Sequence, residues 1–162
     1  MLNRAEIATR IPHQGSMCLL ERVVTWSEDR IHCEAQSHRD PANPLRGHGR
    51  LGIACGIEYA AQAMAVHGAL LGQAQGAAPQ QPRLGYLASV RGVQLHAARL
   101  DDVASDLTVR AERIMGDENN IIYSFSVEAA STVLLTGRAT VVLDASLAGL
   151  GVTALGGGGA SS

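Results

Sequence analysis

The sequence predicts an α+β domain in which one antiparallel sheet wraps a single long central helix. Three observations carry this expectation. The stretch from about 51 to 71, LGIACGIEYAAQAMAVHGALL, is apolar almost all the way round, as a helix buried on most of its surface must be. The segments before and after it alternate apolar and polar residues with a period of two, which is the mark of half-buried strands. The last strands are separated only by short turns, GDENN (116–120) and AS (130–131), so consecutive strands run antiparallel.

Taken in order, residues 1–16 read as a polar lead-in punctuated by Pro12 and Gly15. MCLLERVVTW (17–26) and IHCEAQ (31–36) read as two strands joined at SEDR. In the second, Ile31, Cys33 and Ala35 share one face. SHRDPANPLRGHGR (37–50) holds two prolines and two glycines and reads as a loop. The helix follows, then a connector, QAQGAAPQQPR (73–83). Four more strands are expected at 85–98, 106–114, 121–129 and 132–144. The domain is expected to span 1–144, with 145–162 a Gly/Ala/Ser-rich tail. One small sheet cannot cover every side of so apolar a helix, so a second subunit is expected against it, in a dimer or higher oligomer.

Bulk properties exclude several classes. A chain of 162 residues, 46% apolar and 17% charged, supports one soluble domain. A formal net charge of −2 and few aromatics argue against a nucleic-acid or anionic-membrane partner. The three cysteines, Cys18, Cys33 and Cys55, are scattered, which suits neither a disulfide framework nor a zinc knuckle. The first residues lack the apolar core of a signal peptide, and no apolar run is long enough to span a membrane. A cytoplasmic protein without metal or other cofactor is expected.

Glu58 is the outstanding residue for chemistry. A carboxylate in an apolar helix is costly to bury. Burial raises its pKa and suits it to general-acid work. Gln62 lies one turn on, on the same face, within reach of the carboxyl or of a substrate. A structural alternative pairs Glu58 with an arginine such as Arg91 at a subunit contact. Of the six histidines, His32 and His96 fall on strands, and His67 lies near the helix end, where capping or packing explains it. His13, His38 and His48 lie in loops, where catalytic groups are often placed. GHGRLG (47–52) is no nucleotide-binding loop. Its amides at Gly49 and Gly52 are candidates to polarise a substrate carbonyl at the helix N-terminus, the alternative being a plain turn.

The stretches IPHQGSMCLLERVV (11–24), NPLRGHGRL (43–51), GIEYAAQAMA (56–65) and GYLASVRGVQL (85–95) stand in one consistent order. Together they resemble the 3-hydroxyacyl-carrier-protein dehydratases of the hotdog superfamily. The likeness is greatest to the small dehydratase-like proteins of aryl polyene gene clusters and covers about residues 8 to 144. The resemblance implies a hotdog fold, dimers with joined sheets, and an acyl tunnel at the subunit interface. It also implies a histidine from one subunit and an acid from the partner's helix. Glu58 matches the acid, Gln62 the glutamine after it, His48 the family histidine, and His13 a supporting histidine near the start. The family loop reads Gly-His-Phe-Pro-Gly before a further proline and glycine. Here GHGRLG is shorter, and His48 precedes Glu58 by only ten residues. Were both helical, they would stand roughly 15 Å apart in one chain, so His38 and His13 stay open as alternatives.

The first expectation of function is therefore a hydro-lyase that converts 3-hydroxyacyl thioesters, on acyl carrier protein or coenzyme A, to trans-2-enoyl thioesters in fatty-acid or polyene-type biosynthesis. His48 would take the α-proton and Glu58 protonate the departing hydroxyl, with His13, Gly49, Gly52 and Gln62 binding substrate. The alternatives are an acyl thioesterase on the same fold and a non-catalytic partner subunit of a hotdog heterodimer.

Overall fold

The computed structural model describes residues 1–11, 15–74, 76, 85–117 and 119–143, with the side chains of 85 and 86 left aside. His13, most of the connector and the tail beyond 144 lie outside the described residues. The elements are β1 (Leu2–Asn3), α1 (Arg4–Ala8), β2 (Arg22–Trp26), β3 (Arg30–Ala35), α2 (Gly56–Ala74), β4 (Gly85–Leu95), β5 (Leu107–Gly116), β6 (Asn120–Ala129) and β7 (Thr132–Leu143). They form one antiparallel seven-stranded sheet in the order β1-β2-β3-β5-β6-β7-β4. Strands β5 to β7 are the expected meander. β4 crosses over to close the far edge beside β7.

The inner face of the sheet is built by alternation. Cys33, Val109, Val127 and Leu135 stand opposite one another across four strands, and all are buried. The helix packs on this face, and at its start a Cβ on Gly56 would overlap the Leu135 side chain. The two-residue turn at Ala130 and Ser131 holds both at positive φ, 49° and 67°. Those values are the left-handed pair that a tight hairpin demands.

Three sequence expectations change. The lead-in is ordered: α1 begins with a reciprocal capping box in which Asn3 Oδ1 accepts from the Glu6 amide and Glu6 Oε1 from the Asn3 amide. The strand expected from 17 begins only at Arg22, after a 3₁₀ turn at Gly15–Met17. The helix starts at Gly56, not near 51. Leu51 is held extended because its N–H donates to Asp101 Oδ1 and its C=O accepts from the Leu100 amide. A 3₁₀ turn, Ile53–Cys55, then leads into α2.

His67 is no helix cap. It is fully buried, its Nε2–H donates to Ser27 O at 2.7 Å, and its Nδ1 accepts from the Tyr123 hydroxyl at 2.7 Å. Burial lowers its pKa, as it does that of the equally buried His38. The unfolded chain therefore binds protons at these two sites first as pH falls. The stability they contribute is complete above the ordinary value of 6.5 and is lost below it.

Two predictions follow from the packing. Gly56→Ala should lower stability by about 1–2 kcal/mol in denaturant titration, because displacing Leu135 in a packed core outweighs the helix propensity gained. Lowering pH from about 7 to about 5 should lower Tm, and His67→Gln should flatten that dependence. A slope unchanged in the variant would contradict the buried neutral imidazole.

Candidate active site

Glu58 sits in the first turn of α2, half-buried. Among the described residues it takes part in no ion pair, with Arg91 or any other base. Arg91 stands exposed on β4. Desolvation by burial raises the Glu58 pKa. Cys55, one turn earlier and half-buried, has its thiol pushed up first by burial and then by the Glu58 charge. The two groups are thus electrostatic neighbours at the helix start. The helix dipole would favour an ionised Glu58 at this end, so the upward direction means that desolvation outweighs it.

The other expected site residues fall in different settings. His48 and Gly49 have φ of 54° and 75°. They are the two central residues of a tight hairpin closed by reciprocal backbone bonds between Gly47 and Arg50, at 2.8 and 3.0 Å. His48 is exposed at its tip. Gly49 therefore lies in this turn and not at a helix N-terminus, since left-handed backbone cannot enter a helix. Gly52 precedes the 3₁₀ turn and bridges to Arg99.

Gln62 is buried, with 1% of its surface exposed. Its Oε1 accepts from the Leu19 amide at 2.9 Å and its Nε2 donates to Met17 O at 2.7 Å. His38 is sealed from solvent. Its Nε2 lies 3.0 Å from both Val103 O and Ser105 O, so that nitrogen carries the proton, and its Nδ1 has no partner among the described residues. Among the described residues the structure thus brings Gln62 and Cys55 onto the helix turns beside Glu58. It leaves His48 on the neighbouring hairpin and encloses His38 and His67.

Sequence reasoning missed a polar network around the same helix turn. Tyr59 donates its hydroxyl proton to Ser37 Oγ at 2.8 Å, and Ser37 Oγ donates to Leu19 O at 2.8 Å. Buried Asn43 donates to Ser37 O and to Tyr59 Oη. The one signal in the sequence was a tyrosine beside Glu58 in a chain with only three. No group of three or more metal-ligating side chains gathers among the described residues.

One long helix held by a seven-stranded antiparallel sheet defines a hotdog-fold protein, and at the start of that helix stands a carboxylate with no ion pair among the described residues. Solved structures of the same shape include dehydratases and thioesterases. The chain belongs to the ApeP-like family, whose model, described as ApeP dehydratase, matches residues 5–150. The dehydratase heterocomplex ApeI:P from Xenorhabdus doucetiae superposes with a TM-score of 0.75 and 26% identity, over 85% of this chain and 90% of that one. AziG from S. sahachiroi (TM-score 0.53, 15% identity, 78% of this chain and 91% of that one) shares the fold. So does a hypothetical thioesterase with coenzyme A from Streptococcus pneumoniae TIGR4 (TM-score 0.55, 11% identity, 76% and 84%). A search of curated proteins finds no match. No helix among the described residues is long and apolar enough to cross a membrane.

The raised Glu58 pKa has a measurable consequence. The native state keeps this proton to higher pH than the unfolded chain does, so wild type loses stability as pH rises through the native pKa. Glu58→Gln mimics the neutral acid. Its Tm should exceed that of wild type near neutral pH, and the gap should close below the ordinary value of 4.5. Equal melting across that range would contradict a desolvated carboxyl.

Proposed function

We propose that this chain supplies the acid of a 3-hydroxyacyl thioester dehydratase, and that Glu58 is that acid. The observation that carries the reading is the half-buried carboxyl on α2, which forms no ion pair among the described residues and whose pKa burial raises. In the reaction an imidazole takes the proton from C2 of the acyl chain. The electron pair forms the C2=C3 bond, the C3–O bond breaks, and Glu58 protonates the departing hydroxyl. The products are water and the trans-2-enoyl thioester. The amide of Gly52, at the entry to the helix, is a candidate donor to the thioester oxygen as charge develops on it. The thioester is carried by acyl carrier protein or coenzyme A, in fatty-acid or polyene-type biosynthesis.

The imidazole has three candidate sources in this reading: His48, exposed at the tip of its hairpin, His13, which lies outside the described residues, or a histidine of another hotdog chain. Three observations bear on the choice, and they favour the last over the enclosed histidines of this fold. His38 and His67 are enclosed and hydrogen-bonded within the fold. A half-buried stripe, Ile57, Glu58, Ala65, Gly68, Ala69 and Gly72, runs at helical spacing along α2, and a second subunit would cover it. The solved relative described as a heterocomplex supports a chain of this family working with a different hotdog partner.

The decisive variant at His48 is Asn, because Asn-Gly is the favoured pair for this hairpin. His48→Asn removes the imidazole and keeps the turn. If His48 is the base, enoyl formation from a 3-hydroxyacyl thioester should fall by about 10²–10⁴-fold at unchanged Tm. If a partner chain supplies the base, His48→Asn should match wild type, and activity should depend on adding that partner. Glu58→Gln should abolish enoyl formation in either case. Full activity of Glu58→Gln, or release of free thiol in place of enoyl product, would overturn the dehydratase reading, the second in favour of hydrolysis.

A further inference from the structure

The segment from Gly15 to Glu21 crosses α2 without belonging to the sheet. It leaves a 3₁₀ turn at Met17 and joins the ladder only where the Glu21 amide donates to Glu34 O. Between these points Cys18, Leu19 and Leu20 are buried, at 1%, 2% and 0% exposure. Buried backbone groups with no strand partner must find side chains or cost about 1–3 kcal/mol each. Leu19 finds them on both sides: its N–H goes to Gln62 Oε1, and its C=O accepts from Ser37, itself bonded to Tyr59. Met17 C=O goes to Gln62 Nε2. Tyr59 and Gln62 are the residues one and four places after Glu58, so both lie on the helix turns that carry the carboxyl.

We infer that Gln62 is a positioning residue, not a substrate ligand: its amide staples residues 17–19 as a strap across the helix beside Glu58, and the strap fixes the wall of that site. Gln62 is 1% exposed and turns both ends of its amide to the backbone, so it offers a substrate almost no surface. A glutamine suits the task because it accepts at one end and donates at the other, as the Leu19 amide and the Met17 carbonyl require. An apolar residue of similar size would fill the volume and leave both backbone groups unpaired. The inference rests on the role proposed for Glu58, but the strap itself can be tested without any turnover.

The experiment compares Gln62→Leu and Gln62→Glu with wild type, reading amide exchange at Leu19 by NMR and steady-state dehydration of a 3-hydroxyacyl thioester over pH. Gln62→Leu should lower Leu19 protection about tenfold or more. It should cut kcat by a similar factor with KM within about twofold of wild type. Gln62→Glu is the internal control. As a protonated acid it can accept from Leu19 and donate to Met17; ionised, it can only accept. Leu19 protection should therefore stay near wild type, since either form accepts from its amide, while kcat should be near wild type at low pH and fall through an added ionisation that wild type lacks, as the bond to Met17 is lost. Unchanged Leu19 protection in Gln62→Leu, or a rise in KM alone, would overturn the staple. Absence of dehydration in wild type, with or without a partner chain, would instead remove the proposed function while the exchange result still decided the strap.

Discussion

The structure depends on burying one apolar helix in one small sheet. Strands β3, β5, β6 and β7 present continuous rows of Ile, Val, Leu and Ala to α2, and Gly56 lets the helix start close against Leu135. That sheet covers only part of the helix circumference. The remaining stripe is half-buried, and Glu58 sits on it. Burial raises the pKa of a carboxyl left there, and no ion pair forms with it among the described residues. The same incomplete coverage thus leaves both a stripe open to a second subunit and the carboxyl proposed as the acid on that stripe.

Polar groups around the helix do a different task. Gln62, Ser37 and Asn43 satisfy backbone that no strand can reach, and Tyr59 bonds the Ser37 and Asn43 side chains. Asp101, bound to Arg99 and to the Leu51 amide, ties the loop after β4 to the approach of the helix. These contacts fix the two chain segments that flank Glu58, one before the helix and one leading into it. His38 and His67 belong to the same structural class, since each spends its protonated nitrogen on backbone carbonyls inside the fold.

The sheet, the long helix and the hairpin turns could be read from the sequence because they rest on local pattern. Ile31, Cys33 and Ala35 alternate as a half-buried strand must, and Ala130–Ser131 leaves room only for a tight turn. The capping box at Asn3 and Glu6 was equally local, and it went unread because the segment looked merely polar. What pattern could not show were the long-range partners. Leu51 and Ile53 fit the helical run, yet bonds to residues near 100 pull them out of it. Capping and packing both fit His67 by its place near the helix end, and the contact with Tyr123, 56 residues away, selects packing. Glu58 stood out because an acid in an apolar helix is a local anomaly. The fate of Gln62 depended on a strap whose path no periodicity encodes.

The most direct test of this account is the titration of the Glu58 carboxyl itself, followed by carbon-detected NMR in the intact chain with Glu58→Gln to assign the signal. The midpoint should lie above the ordinary carboxyl value of 4.5 and rise further when a hotdog partner covers the helix stripe. A midpoint at or below the ordinary value, in the chain alone and in the complex, would show a solvated or paired carboxylate and contradict its role as the acid.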